Sequence, residues 1–364
     1  MKIMMKELGE IITGNTPSKK IDDFWDSDDI CFVKPDIISD NGVNEICESI
    51  EYISEAARKK ARVVSENAIF VICIGSIGKI GIASAGEYAF NQQINAVVPN
   101  DKVEPKYLAY NLLYNKPRLI AMANAPVVPI INKSQFGEFT VNINTDKSKQ
   151  LNIVEVLDKL THIIEQRNHE LSALDVLIKA RFVELFGDPT INPKGWDKIP
   201  WKDMFDTQTG KLDSNAAVAD GEYPFFTCAK EWLRIDNYAY DCEALLLAGN
   251  NAAGVYDVKH YKGKFNAYQR TYILQLKNQN CEYPLFKYQL EERLVYLQSQ
   301  SKGTNTRYLT MEILNSLSFI NPPVKLQKQF TEFVEQVDKS KVAVQKALDE
   351  TQLLFDSLMQ QYFG

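Results

Sequence analysis

The chain has 364 residues, of which 45% are apolar and 24% are charged, and this composition excludes a disordered or fibrous protein. The net charge of −6 excludes a surface that is basic overall, although a local basic face would still suit nucleic-acid binding. The sequence contains no run of about 18 apolar residues, so we expect no association with a membrane. The six cysteines lack C-x-x-C spacing, which predicts reduced thiols in a cytoplasmic protein.

In chain order, residues 1–145 and 190–322 have the same character. Short β-rich runs and short helical patterns alternate with clusters of Gly, Asn, Asp and Pro. The clearest examples are β-rich runs at 30–33 and 271–274 and helical patterns near 55–63, 106–114 and 285–298. We therefore expect two mixed α/β globules.

A long amphipathic helix is predicted between these two globules. The segment 147–186 contains no Gly or Pro, and it is followed by Gly187-Asp188-Pro189, a typical helix stop. At 1.5 Å per residue, about 40 residues give a helix of roughly 60 Å. A seven-residue apolar stripe follows Leu157, Ile164, Leu171, Ile178 and Leu185, with a flanking line of Val156, Ile163 and Leu177.

The C-terminal segment predicts a second helix of the same design. Pro322 and Pro323 precede it, as is common at helix starts. Its stripe follows Phe330, Val337, Val344, Thr351 and Leu358, and a second line follows Val334, Leu348, Phe355 and Tyr362 with Lys341 as a polar interruption. Two such helices can bury their stripes on each other as a coiled coil; alternatively, each helix packs on its own globule. We favour the pairing, because the stripe is longer than a globular domain is wide.

The two halves of the chain form a weak internal repeat. Four landmarks recur in the same order at nearly one offset. The pairs are the glycine turns at 75–79 and 249–254, Asn91 and Asn266 at an offset of 175, Gln150 and Gln329 at 179, and the segments 185–187 and 362–364 at 177. The predicted segments are a first globule at 1–145, a first long helix at 146–188, a second globule at 189–323 and a second long helix at 324–364.

The motifs that could carry catalysis are incomplete. Asn321-Pro322-Pro323 is similar to an adenine methylase motif, but Val324 replaces the aromatic residue that would stack the extruded base. The turn at 75–80 lacks the spacing of a phosphate-binding loop. His162 and His169 lie seven residues apart and cannot converge on one metal, and we expect the acidic run at 22–29 to be a solvated loop. The sequence thus favours a binding protein.

Nucleic-acid binding is the most specific hypothesis that the polar residues support. Lysines neutralise phosphates, while Asn, Gln and Arg can read base edges. In the second globule the candidates are Tyr256, Lys259, His260, Lys262, Lys264, Asn266, Gln269 and Arg270, followed by Lys302, Thr304, Asn305 and Arg307 in a polar loop. In the first globule the candidates are Thr16, Ser18, Lys19, Lys20, Asn91, Gln92 and Gln93.

Motifs along the whole chain follow one family pattern. They are Leu8-Gly9-Glu10-Ile11-Ile12-Thr13-Gly14-Asn15-Thr16-Pro17-Ser18, Phe24-Trp25, Ile30-Cys31-Phe32-Val33-Lys34-Pro35-Asp36-Ile37, the two glycine turns, and Gln150 and Gln329 at the helix starts. With these motifs the chain resembles, over its whole length, the specificity subunits of type I restriction-modification systems. This resemblance implies an α+β fold with two α/β target recognition domains separated by two long helices that form an antiparallel coiled coil. It also adds Lys34, Ser76, Lys79, Asn250 and Asn251 to the candidate DNA-binding residues.

The resemblance further implies a non-catalytic subunit that reads a bipartite, asymmetric site in double-stranded DNA. It would recruit two modification subunits, which bind S-adenosylmethionine and methylate adenine, and through them restriction subunits. This chain would itself hold no cofactor and no metal. Two alternatives stay open, a coiled-coil scaffold that binds only proteins and a stand-alone methylase or nuclease. A DNA footprint of the assembled complex argues against the scaffold, and methyl transfer by the isolated chain would favour the stand-alone enzyme.

Overall fold

The computed structural model describes residues 1–123, 128–252 and 254–364, and the chain forms two compact units. Unit 1 contains Met1–His169 together with Gln345–Gly364, and unit 2 contains Glu170–Val344. Two helices of 40 residues each, Lys147–Phe186 and Val324–Phe363, contribute residues to both units. We call them the first and second long helices. They confirm the prediction of two long helices, and the four segment boundaries stay a prediction.

Unit 1 contains a five-stranded and a four-stranded sheet, each antiparallel apart from one parallel pair. Its strands are apolar runs, and Ile69–Ile72 is buried at all four positions. In spatial order the five strands are Gly9–Thr13, Ile94–Pro99, Ile69–Ile72, Ile80–Ala83 and Val43–Ile46, and the four strands are Glu51–Ile53, Ile30–Val33, Glu87–Phe90 and Val63–Ser65. A two-stranded ladder joins Lys2–Met4 to Thr140–Asn142. The shorter helices of the unit are Met5–Leu8, Pro105–Tyr114, Lys116–Met122 and Lys133–Glu138. The 3-10 turns are Asp22–Phe24, Pro35–Ile37 and Glu55–Lys60.

Unit 2 is built around a six-stranded sheet with one parallel pair. In spatial order its strands are Phe205–Thr209, Thr271–Leu276, Tyr240–Ala248, Val258–Ala267, Tyr223–Phe226 and Leu233–Ile235. Two short ladders join Lys198–Pro200 to Ser318–Ile320 and Asn250–Asn251 to Arg307–Tyr308. The helices are Trp201–Met204, Tyr283–Glu291, Leu294–Gln300 and Met311–Asn315, with a 3-10 turn at Ser214–Ala216.

The long helices pack against each other within each unit. In unit 1 the beginning of the first helix and the end of the second enter one core, through Leu157 and Phe363 among others. In unit 2 Phe186 packs on Phe330 with 5.6 Å between ring centroids, and Asp175 forms an ion pair with Lys341. Because the earlier residue of the first helix meets the later residue of the second, the pairing is antiparallel, as predicted.

The apolar stripes follow most of the predicted lines. All predicted stripe positions of the second helix are buried or half-buried, and Lys341 stands in that seam with its ammonium paired to Asp175. The line of the first helix through Leu157 and Leu171 is likewise buried or half-buried. The flanking line is wrong, because Leu177 is 46% exposed and both other members, Val156 and Ile163, are exposed. The second buried or half-buried line of the first long helix instead runs through Leu160, Arg167, Leu174 and Arg181.

A buried glutamine at the start of each long helix reveals the true register of the repeat. The side-chain oxygen of Gln150 accepts from the backbone N–H of Glu104 at 2.7 Å, and that of Gln327 accepts from Glu282 at 3.1 Å. Both side chains are fully buried, and each amide nitrogen donates to a carbonyl just before its helix, at 2.6 and 2.8 Å. Gln329, the residue that the sequence paired with Gln150, is exposed. The offset is therefore 177, the same as that between the two helix starts and between the two helix ends.

Candidate nucleic-acid interface

The glycine turn of unit 1 lies beside the polar turn that follows the strand Glu87–Phe90. The backbone N–H of Cys73 donates to the carbonyl of Gln93 at 2.8 Å, and Ile131 donates to the carbonyl of Cys73 at 2.8 Å. Gly75 and Gly78 both adopt positive φ, a conformation that L side chains rarely take, so the turn depends on its glycines. Ser76 is exposed at its tip.

Unit 2 repeats this arrangement with different side chains. The backbone N–H of Gly249 donates to the carbonyl of Arg270 at 2.8 Å, and Leu309 donates to the carbonyl of Gly249 at 2.8 Å. The hydrogen bonds place Gly249 where unit 1 has Cys73 and Arg270 where it has Gln93. The next two residues, Asn250 and Asn251, pair with the strand Arg307–Tyr308. The two units thus present equivalent turns, and this juxtaposition is the candidate interface in each.

This equivalence corrects the pairing of Asn91 with Asn266. Asn91 donates its backbone N–H to Val33 and accepts at its carbonyl from Ile94, and Tyr268 makes the corresponding bonds with Phe226 and Thr271. Asn266 lies two residues earlier, in a strand, and is 4% exposed. Its amide oxygen accepts from the N–H of Ala267 and its amide nitrogen lies 3.3 Å from an oxygen of Asn237, so the side chain serves the interior of the unit.

The turn residues of unit 1 are joined by their own side chains. Thr16 donates its hydroxyl to Gln92 at 2.9 Å, and Asn91 donates its amide to Gln93 at 3.0 Å. Thr16 and Gln92 are exposed, while Asn91 is 9% exposed. Gln93 lies next to Gly75, since a methyl group on that glycine would approach the Gln93 amide nitrogen to 3.9 Å. The structure therefore brings together four of the predicted residues around the glycine turn.

Three of the four lysines predicted in unit 1, Lys19, Lys34 and Lys79, are paired with carboxylates. Lys19 and Lys34 both bind Glu51, and Lys19 also lies over the ring of Trp25 at 4.8 Å. Partial burial opposes ionisation of Glu51, but the hydrogen bonds from Lys34 and Lys19 outweigh it and lower the pKa of that carboxyl. Lys79 binds Asp40 at 3.2 Å. Ser18 and Lys20 are exposed in the same loop as Lys19.

In unit 2 the alternation of the strand Val258–Ala267 separates the predicted cations. Successive side chains of a strand point to opposite faces. His260, Lys262 and Lys264 share one face, where His260 and Lys262 both bind Glu243 at 3.0 Å. Lys259 points to the other face, where it donates to the carbonyl of Ala229 at 2.9 Å and pairs with Asp257. Burial lowers the pKa of His260, so the ring is neutral near pH 7 and supplies no positive charge.

The remaining predicted residues of unit 2 divide into exposed and buried groups. Gln269, Arg270, Thr304 and Asn305 are exposed. Lys302 is exposed and binds Glu312 at 3.0 Å, whereas Arg307 is half-buried and donates to the carbonyl of Gln298 at 3.2 Å. Tyr256 is 5% exposed and belongs to the core of the unit. Whether any of these residues contacts DNA stays a prediction.

The sequence analysis did not identify Trp232, an exposed residue beside the candidate interface of unit 2. Trp232 ends the loop at 227–232, which connects the strands Tyr223–Phe226 and Leu233–Ile235, and it is 52% exposed. The loop contains a single cation, Lys230, so a search for charge clusters passes over it. A lone tryptophan between two short strands is the signal that could have identified it.

Two further observations limit the chemistry of the described residues. Within residues 1–123, 128–252 and 254–364, no helix is both long and apolar enough to cross a membrane, and no group of three His, Cys, Asp or Glu side chains is placed to hold a metal ion. Burial raises the pKa of the Cys31 thiol to about 11 and that of Cys73 to about 12. Both thiols are therefore protonated and poorly nucleophilic near neutral pH.

Comparison with known proteins gives a consistent family match. The family model described as "Type I restriction modification DNA specificity domain" matches residues 1–173 and 193–351. The Type I restriction enzyme EcoDI specificity subunit of Escherichia coli is 49% identical over 83 residues, which are 23% of this chain and 18% of that protein. The matched segment therefore spans less than a fifth of that relative's length.

Two other proteins are similar over nearly the whole chain. The Type I restriction enzyme MjaIX specificity subunit of Methanocaldococcus jannaschii is 22% identical over 403 residues, covering 98% of this chain and 90% of that protein. The crystal structure of the S subunit of a type I restriction-modification system from M. genitalium superposes with a TM-score of 0.67 at 15% identity, covering 100% of this chain and 96% of that one. At this identity the likeness demonstrates a shared fold.

Proposed function

The chain belongs to the family of type I restriction modification DNA specificity domains, and we propose that it is the DNA sequence-specificity subunit of a type I restriction-modification complex. The observation that supports this most directly is the pair of equivalent turns. The same backbone hydrogen bonds recur in both units, at Cys73 and Gly249. A scaffold used twice with different side chains suits a protein that reads two different base sequences.

Each unit would read one half of a bipartite site in double-stranded DNA. Unit 1 presents Gln92 and Gln93 where unit 2 presents Gln269 and Arg270. Glutamine pairs best with adenine and arginine with guanine in the major groove, so the two half-sites should differ and the whole site should be asymmetric. The unbroken first long helix, Lys147–Phe186, would set the gap between the half-sites.

The long helices would also recruit the partners. Along these helices each unit exposes apolar side chains that water solvates poorly, including Val176 at 66%, Val342 at 70% and Leu353 at 71%. We assign these surfaces to two modification subunits, through which restriction subunits join. The modification subunits would bind S-adenosylmethionine and methylate adenine, and this chain would carry no catalytic residue and no cofactor of its own.

Methylome sequencing tests this proposal. Cells with the gene should carry a bipartite methylated adenine motif that is absent from cells without it. Replacing residues 190–322 by the corresponding segment of another specificity subunit should change one half of the motif, and replacing residues 1–145 should change the other half. A motif in which both halves change after one exchange would contradict the assignment of one reader to each unit.

A further inference from the structure

The loop at 227–232 of unit 2 is held against two residues already predicted to bind DNA. The ammonium of Lys259 donates to the carbonyl of Ala229 at 2.9 Å, and the thiol of Cys228 donates to the carbonyl of Arg270 at 3.4 Å. The loop therefore lies at the edge of the candidate interface, next to the turn that carries Gln269 and Arg270.

Trp232 is fixed in this loop while much of its surface stays open. Its ring lies nearly parallel to that of Phe226, at 11° with 5.8 Å between centroids, and 6.1 Å from the ring of Tyr261. Phe226 is 3% exposed, so the indole rests on the core of the sheet, yet Trp232 itself is 52% exposed. Its orientation is set before any partner arrives, which reduces the entropy lost on binding.

The other three tryptophans serve the interior. Trp201 is fully buried, and the half-buried Trp25 and Trp196 donate their indole N–H to the carbonyls of Ser18 at 3.2 Å and Phe186 at 2.9 Å. In the part of the chain that the structure describes, the indole N–H of Trp232 has no such acceptor. Trp232 thus offers a flat apolar face and a hydrogen-bond donor to solvent.

Two exposed cations near Trp232 suit a nucleic-acid partner. Lys230 lies in the same loop, next to the exposed Glu231, and Arg270 lies in the neighbouring turn, whereas Lys259, on the face of the sheet that carries Tyr261, is paired with Asp257. Such cations suit phosphates, while an indole offers apolar contact to a thymine methyl group and a donor to the acceptor atoms of a base edge. This combination matches the edge of a base pair flanked by its backbone.

We propose that Trp232 is a specificity-determining residue of unit 2, which contacts a base edge in the half-site that this unit reads. The inference rests on the proposed function, because it assumes that unit 2 binds double-stranded DNA. It adds a residue whose loss should relax the choice of base at one position of one half-site.

The test uses the complete complex of this chain with its modification subunits and a duplex carrying the methylated motif. Trp232→Ala should weaken binding about tenfold or more, and Trp232→Phe should weaken it less, since phenylalanine keeps the flat face and loses the donor. Ile191→Ala is the matched control, because Ile191 is 76% exposed in unit 2 and lies outside the candidate interface. Its affinity should stay within about twofold of wild type. The methylome of the Trp232→Ala strain should show relaxed selection at one position in the unit 2 half, with the unit 1 half unchanged.

Unchanged affinity and an unchanged motif for Trp232→Ala would overturn the inference. If that variant fails to assemble although the free chain melts like wild type, Trp232 contacts a protein partner and the inference is also overturned. If the free chain does not fold, Trp232→Phe decides: cognate DNA should change the tryptophan emission of the wild-type complex and leave that of the variant unchanged, and equal changes would refute the contact. A wild-type complex that binds no DNA refutes the proposed function itself.

Discussion

The buried glutamine at the start of the second long helix is the most informative residue to perturb. Gln327 accepts from the backbone N–H of Glu282 and donates to the carbonyl of Pro322 at 2.8 Å and to the side-chain oxygen of Asn321 at 3.0 Å. Gln327→Ala removes all three contacts from a side chain with no exposed surface. The substitution leaves the part-buried backbone N–H of Glu282 and the buried carbonyl of Pro322 without these partners.

The magnitude follows from those orphaned groups. Leaving a buried polar group unsatisfied costs about 1–3 kcal/mol, so the two backbone groups together predict a loss of about 2–6 kcal/mol in the free energy of unfolding. The cavity left by the missing side-chain atoms adds to this loss. Gln327→Met fills most of that volume but restores no hydrogen bond, so it should recover only the cavity contribution.

Urea denaturation of the full chain, followed by circular dichroism and by tryptophan fluorescence, measures the effect. The control is Gln329→Ala, two residues further along the same helix, where the side chain is exposed and the expected change is about 0.5 kcal/mol or less. Gln327→Ala should shift the unfolding of unit 2, which contains the buried Trp201, more than any other transition.

The reasoning fails if Gln327→Ala and Gln329→Ala have equal stabilities. It also fails if Gln327→Met is as stable as wild type, because the hydrogen bonds would then contribute nothing. A larger loss for Gln329→Ala would restore the offset of 179 that the sequence suggested.

Two further predictions concern the helical seam and the cysteines. Leu171→Glu combined with Leu174→Glu places two charges in a half-buried seam and should lower the free energy of unfolding by several kcal/mol. The control Val176→Glu, at a position 66% exposed, should change it by less than about 0.5 kcal/mol. An unaltered melting temperature for the double variant would mean that these leucines are solvated. Iodoacetamide at pH 8 should alkylate the exposed Cys47 well before Cys73, because burial raises the pKa of Cys73 to about 12 and only the thiolate reacts. Mass spectrometry measures the two labelling rates, and equal rates would contradict the burial of Cys73.

Some features of this protein follow from local pattern alone. The seven-residue stripes and the absence of Gly and Pro specify the long helices, because a helix of that length depends on its own periodicity, and Gly187 marks the end of the first one. The β-rich run at 30–33 became a strand with those same bounds. The glycine turns and the polar residues next to them could also be predicted from local composition, because a turn is formed by residues that are neighbours in the chain.

Other features were decided by tertiary structure. The Lys-Gln dipeptides at 149–150 and 328–329 suggested an equivalence, but a buried amide must face the backbone groups that it satisfies. In the second long helix Gln327 does so, as Gln150 does in the first, while Gln329 is exposed. A cluster of charges in the sequence does not show which face of a strand each side chain occupies. The pleat of the strand Val258–Ala267 places Lys259 and Lys262 on opposite faces. Trp232 lies over Phe226 and near Tyr261, and Tyr261 reaches this place only because the strand Val258–Ala267 pairs with Tyr223–Phe226, which is distant in the chain.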